Sequence, residues 1–254
     1  MIRPRGELLA LLAVAGAALP LLLAGDPEVV VRDRREVVAA RRAERADHTM
    51  LAFKNHYFRR AIAEDRRSGL RPDMASVARR MSELESDYRL PYRWGGSIKN
   101  HLDGLDCTGF VHGIMYYLGL SGGERRFNTR SLYHRLKRDR AWQKVFDASD
   151  APSPPFDPAM LLPGDVILWP SDLSDSRNFP GPIWGHVGIV VGETGALQVT
   201  HFVNSDAYND RDSVGIPGPG INTLPAAEFV ALKQRGILTV FRLKGLGPRG
   251  AGEG

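Results

Sequence analysis

Three hydrophobic rhythms succeed one another along the chain. Between residues 8 and 24 the positions are almost all apolar, broken only by Pro20, with Arg3 and Arg5 before the run and Ala24-Gly25 leading into Asp26. A basic start, an apolar stretch and small residues at its end have the order of an export signal. The run shows no polar face, so it does not read as a core helix. Its length is at the lower edge of a bilayer span. Residues 1–25 are therefore expected to be a signal peptide or an N-terminal membrane anchor, and the protein to be exported to the periplasm or cell envelope.

Residues 26–90 switch to helical spacing. Arg32, Arg34, Arg35, Arg41, Arg42 and Arg45 interleave with Asp33, Glu36, Glu44 and Asp47, as on a solvated helix face. Farther on, Met50, Phe53, Tyr57 and Ala61, with Leu51, Phe58 and Ile62, recur at three, four and seven residues. After the start signal Arg71-Pro72-Asp73, the stripe Met74, Val77, Ala78, Met81 and Leu84 predicts a second helix whose apolar side packs on the following domain. No internal repeat is visible.

From Tyr92 the rhythm changes again. Tyr92-Arg93-Trp94-Gly95-Gly96 is an aromatic-glycine turn, and a polar loop then leads into Asp106-Cys107-Thr108-Gly109. Phe110, Val111, Ile114, Met115 and Leu118 keep helical spacing up to Gly119, a C′ residue. Asp106 is a natural N-cap, which puts Cys107 in the first turn. Backbone N–H groups at that end favour a thiolate and can receive an oxyanion when sulfur attacks a carbonyl. Two short strands follow. Pro163-Gly164-Asp165 feeds the apolar run 166–169, and His186 opens the β-branched run 187–191. The turn Glu193-Thr194-Gly195 then folds the next strand back, bringing His201 toward His186, where a second polar side chain could hold the imidazole in one tautomer.

Composition narrows the chemistry. At 43% hydrophobic and 25% charged residues the chain is globular rather than disordered. The net charge of +5 is set mainly by residues 27–90, with 15 Lys and Arg against 11 Asp and Glu, so the later part lacks the basic footprint of a nucleic-acid binder. One cysteine excludes an intramolecular disulfide framework and Cys-x-x-Cys metal sites, and a free thiol in an exported protein suggests use. No phosphate-binding glycine loop and no His-Glu-x-x-His sequence is present. Asp206, Asp210 and Asp212 lack the ligand alternation of a calcium loop and read as a solvated loop.

In this order, Tyr92 to Gly96, Asp106-Cys107-Thr108-Gly109-Phe110, Pro163-Gly164-Asp165 and Gly185-His186-Val187-Gly188-Ile189 resemble the NlpC/P60 family of papain-like cysteine peptidases. The resemblance covers residues 91–245 and implies an α+β fold: N-terminal helices, with the Cys helix packed on an antiparallel sheet of five or six strands. The domain division is then 1–25, a charged helical segment 26–90, and a catalytic domain 91–250. The resemblance implies Cys107 as nucleophile, His186 as base and a third polar residue on the next strand. His201 is chosen for that role, with Gln198 and Asn204 as alternatives. Tyr92, Trp94, Asp106 and Trp184 would bind substrate, with no metal or other cofactor. The expected partners are peptidoglycan stem peptides, cleaved at an amide bond. An amidase or acyltransferase with another substrate, or a non-catalytic wall-binding protein, are the alternatives. The segments 171–183 and 207–223 are longer than in compact members and would rim the groove.

Overall fold

The computed structural model describes residues 39, 49–88, 90–100, 102–122, 128–149, 156–169, 185–203, 220–231 and 238–245. The chain divides into two compact units, Met1–Ala46 and Asp47–Gly254. All described residues except Ala39 belong to the second, to which the following description applies. The expected leader or anchor, 1–25, lies outside the described residues. Among the described residues no helix is long and apolar enough to cross a membrane.

Two helices open this unit. Helix α1 spans residues 49–67 and buries Tyr57, Phe58, Ala61 and Ile62. Helix α2, Met74–Tyr88, begins after Asp73, whose carboxylate accepts the Ser76 N–H while the Asp73 N–H bonds back to the Ser76 hydroxyl. That reciprocal pair satisfies two of the donors a helix start leaves open. Met74, Val77, Ala78 and Met81 are fully buried and Leu84 nearly so. They join α1 and the Cys helix in one apolar cluster. From residue 49 onward the charged segment 26–90 helps to build the core of the same compact unit, with the Met74–Leu84 stripe packed as its spacing predicts. Burying four large side chains of that stripe contributes about 1.5–3 kcal/mol each.

Helix α3, Cys107–Tyr117, buries every residue from Cys107 to Met115. It ends at Leu118, and Gly119 takes a positive φ of 74° that lets Leu120 N–H reach back to Met115 C=O. Such closure needs a residue without a Cβ penalty in the left-handed region. Helix α4, Thr129–Arg138, starts from a reciprocal Asn128–Ser131 cap. Helix α5, Ala226–Ala231, is short.

The strands are β1 (Trp142–Asp147), β2 (Val166–Trp169), β3 (His186–Val191), β4 (Gln198–Val203), β5 (Gly220–Pro225) and β6 (Thr239–Leu243). They form one sheet in the order β1-β6-β2-β3-β4-β5, and every neighbouring pair is antiparallel. The architecture is therefore α+β. Strand alternation sends Val187, Ile189 and Phe202 into the large cluster beneath α1, α2 and α3. Val190 and Val199 point the other way, into a smaller cluster with Phe229 of α5. Buried β2 is fixed at its start by Asp165, whose carboxylate accepts two bonds of 2.7 Å from the Arg242 guanidinium on β6. Burial pushes the Asp165 carboxyl up, and the guanidinium opposes that rise.

Candidate active site

Cys107 stands where the sequence places it, at the first position of α3, and is 5% exposed. Its neighbour Asp106 is the N-cap. One carboxylate oxygen accepts the Gly109 N–H at 2.6 Å and the Thr108 hydroxyl at 2.7 Å, and the other accepts the Gly95 N–H at 3.0 Å. The Asp106 N–H in turn donates to Gly96 C=O. Asp106, expected among the substrate-binding residues, is buried and committed to locking the aromatic-glycine turn onto the helix start.

Gly109 permits that close contact. A Cβ at this position would lie 2.0 Å from Gly96 O, a backbone atom with little freedom to retreat. Gly109→Ala is accordingly expected to cost about 1–3 kcal/mol of overpacking strain. It should also loosen the Asp106 cap, visible in urea unfolding together with faster exchange of the Gly95 amide. An unchanged midpoint would mean that the turn can shift away from α3 at no cost.

Tyr92 bridges to Leu105 beside this turn and stacks on Phe202, with ring centroids 6.3 Å apart. Phe110, one turn beyond Cys107, also meets Phe202, at 5.9 Å. Phe202 directly follows His201 on β4. The first turn of α3 therefore packs on the face of β4 that carries Phe202, near the strand end where His201 stands on the opposite face. Trp94 is 57% exposed, next to the capped turn.

The histidines meet. His186 opens β3, and Gly188, two residues on, pairs with His201 across the ladder. Both imidazoles consequently stand on the α5 face. Their nitrogens, Nε2 of His186 and Nδ1 of His201, are 2.8 Å apart with the rings nearly perpendicular. Phe229 lies against both rings, at 5.7 and 5.0 Å. Gly188 leaves room for it, since a Cβ there would come within 3.0 Å of the Phe229 ring and 2.5 Å of a Val199 methyl.

Burial holds His201 neutral, with its pKa pushed down to about 3. A neutral His201 can accept a hydrogen bond from His186 Nε2–H at Nδ1 and then carries its own hydrogen on Nε2. That Nε2 has no partner among the described residues. Asn222 of β5 pairs with His201 in the ladder and was not singled out by the sequence; its amide nitrogen likewise lacks one.

The alternatives to His201 fall elsewhere. Gln198 begins β4 opposite Val191 and Pro225, three residues from His201, with an exposed position. Asn204, Trp184, the acidic positions Asp206, Asp210 and Asp212, and the segment 171–183 lie outside the described residues, as does 207–219 of the second loop. Among the described residues no group of three or more His, Cys, Asp or Glu is arranged to hold a metal ion.

Sequence reasoning missed Lys54. Its side chain is fully buried, and its ammonium donates to the carbonyls of Ser97, Asn100 and Leu102 at 2.7, 2.9 and 2.7 Å, and to Gly104 at 3.3 Å. No protein-family model matches the sequence, and no curated protein is significantly similar to it.

Proposed function

We propose that the protein is an exported cysteine hydrolase of the papain-like NlpC/P60 type, cleaving an amide bond in peptidoglycan stem peptides. The observation that carries this reading is the buried His186–His201 hydrogen bond at the end of the sheet reached by the first turn of α3, where Cys107 sits. The order of the four sequence motifs, and a Cys helix packed on an antiparallel sheet, support the same family reading.

This mechanism requires the His186 ring, at the start of β3, to reach round the end of the sheet to Cys107, which packs on the α3 side: its Nδ1 then takes the Cys107 proton while Nε2–H stays bonded to His201. The thiolate adds to the substrate carbonyl carbon, and helix-start N–H groups stabilise the oxyanion. The imidazolium then protonates the leaving amine, releasing it and leaving a thioester. Water, deprotonated by His186, adds to the thioester; the acid departs and the thiol is restored. His201 cannot compete for the proton, because protonating it inside the core is costly. Tyr92 and exposed Trp94, on the turn that Asp106 ties to the helix start, would contact the peptide.

The test is incubation of the purified protein with muropeptides of defined stem sequence, followed by mass spectrometry of the products. Scission of one amide bond, blocked after iodoacetamide has modified Cys107, is expected. Intact muropeptides together with hydrolysis of a different acyl substrate would favour the amidase or acyltransferase alternative. Binding without turnover of any acyl substrate would leave a wall-binding protein.

A further inference from the structure

We propose that Lys54 is a positioning residue for Cys107, acting as a cationic clasp that folds the 97–104 loop and so sets the helix start on which the thiol stands. Four backbone carbonyls from one short loop converge on a single ammonium supplied by α1. Carbonyl oxygens pointing the same way repel one another unless a cation lies between them. Among its described residues the loop has no helix or strand, only side-chain bonds such as those of Asn100, which donates to Gly95 C=O and accepts from Ser97 N–H. Its two ends are the parts that build the site. At one end Gly95 and Gly96 exchange bonds with Asp106, and at the other Gly104 leads through Leu105 to Asp106 and Cys107.

The clasp works against burial. Desolvation brings the Lys54 pKa down to about 8, and the nearby charge of Asp103 opposes the fall. Asp103 is itself held by Arg93 across the loop, at 2.5 and 2.7 Å. A buried charge of this kind is costly unless its hydrogen-bonding capacity is met, and here the loop carbonyls meet it. An apolar residue would pack at position 54 without that cost, so the lysine serves the loop rather than the core.

This inference rests on the reading of Cys107 as a reactive thiol, and the experiment separates the two. In the full-length protein, Lys54→Met is compared with wild type by the pH profile of iodoacetamide alkylation, which reports on Cys107 alone because the chain has one cysteine. Amide hydrogen exchange at Gly95 and Gly109 is followed in parallel. Misplacing the helix start should slow alkylation at neutral pH by about tenfold or more and move the profile to higher pH. The Gly95 and Gly109 amides, both bonded to Asp106, should exchange faster. Lys54→Gln, which still donates two hydrogens, should fall between. Tyr57→Phe, which removes a bond from the same helix to Met81 C=O, should lower stability and leave the alkylation profile in place.

An alkylation profile and amide protection that Lys54→Met and Lys54→Gln leave unchanged would overturn the assignment. So would failure of both variants to fold, since Lys54 would then be a pillar of the core. Slow alkylation and no turnover in the wild type would count against the hydrolase instead, while the Gly95 and Gly109 amides would still report on the clasp.

Discussion

Cys107→Ala is expected to bring hydrolysis to background while the protein keeps its fold and melting temperature. Ala is easily accommodated at the first position of a helix, and Cys107 is nearly buried, so removing one sulfur disturbs little packing. No other cysteine can substitute. The histidines should then order themselves. His186→Ala should lower the rate by at least about a hundredfold, the scale of general acid–base catalysis. His201→Ala should cost less, because it orients the base without exchanging a proton. His201→Gln, whose carbonyl can still accept from His186 Nε2–H, should recover part of the difference. Residual turnover by Cys107→Ala would exclude the thiol mechanism. A silent His201→Ala would mean that the 2.8 Å bond between the rings has no part in catalysis.

Much of this site is legible along the chain, for reasons that can be named. Asp106 and Gly119 bracket α3 because the capping preference of a carboxylate and the backbone freedom of glycine are local properties. The meeting of His186 and His201 follows from period-two strands joined by a tight turn: the Gly195 turn fixes the register, and the register pairs Gly188 with His201. What a linear reading misses is longer in range. Lys54 lies at helical spacing between Met50 and Phe58, on the stripe that sinks into the core. A lone lysine on an apolar stripe could have been flagged, but its partners are more than 40 residues away in a loop without periodicity. The Asp165–Arg242 pair is hidden for the same cause, its members standing 77 positions apart. The roles of Gly109 and Gly188 as places of backbone and ring approach need the packed elements on both sides. Within 26–90 the packed part is legible from its apolar stripes rather than from its charge count, because folding is decided by the buried face.

Glu85→Gln should make the protein markedly more acid-sensitive, although it removes a carboxylate. The buried imidazoles of His201 and His112 have pKa values pushed down to about 3 and about 4, burial being the main cause in both. Their unfolded values are about 6.5. Below that pH the unfolded chain binds more protons than the native one at these two sites, so stability falls as pH drops. Between pH 7 and 4.5 each histidine should remove roughly 2.5 kcal/mol. Glu85 works in the opposite sense. Burial raises its pKa from 4.5 to about 7, against hydrogen bonds from the Tyr57 hydroxyl and the Ile221 N–H. Over the same window the native state is therefore the one that binds the extra proton. Acidification relieves the cost of holding a carboxylate in α2 beside β5, returning about 1–2 kcal/mol once the group's partial exposure to solvent is discounted. The two histidines are thus offset in part, and the wild type should lose about 3–4 kcal/mol between pH 7 and 4.5 from these three groups. The glutamine variant has no carboxyl to titrate but keeps an acceptor for both hydrogen bonds, so it should lose about 5 kcal/mol over the same interval. Urea unfolding of both proteins at the two pH values measures the difference directly. Other carboxylates, including the raised Asp165, titrate alike in the two proteins and cancel. Parallel pH dependences would show that Glu85 is ionised in the native state throughout the window. The acid limit of the fold would then be set by the two buried imidazoles without any opposing group in α2.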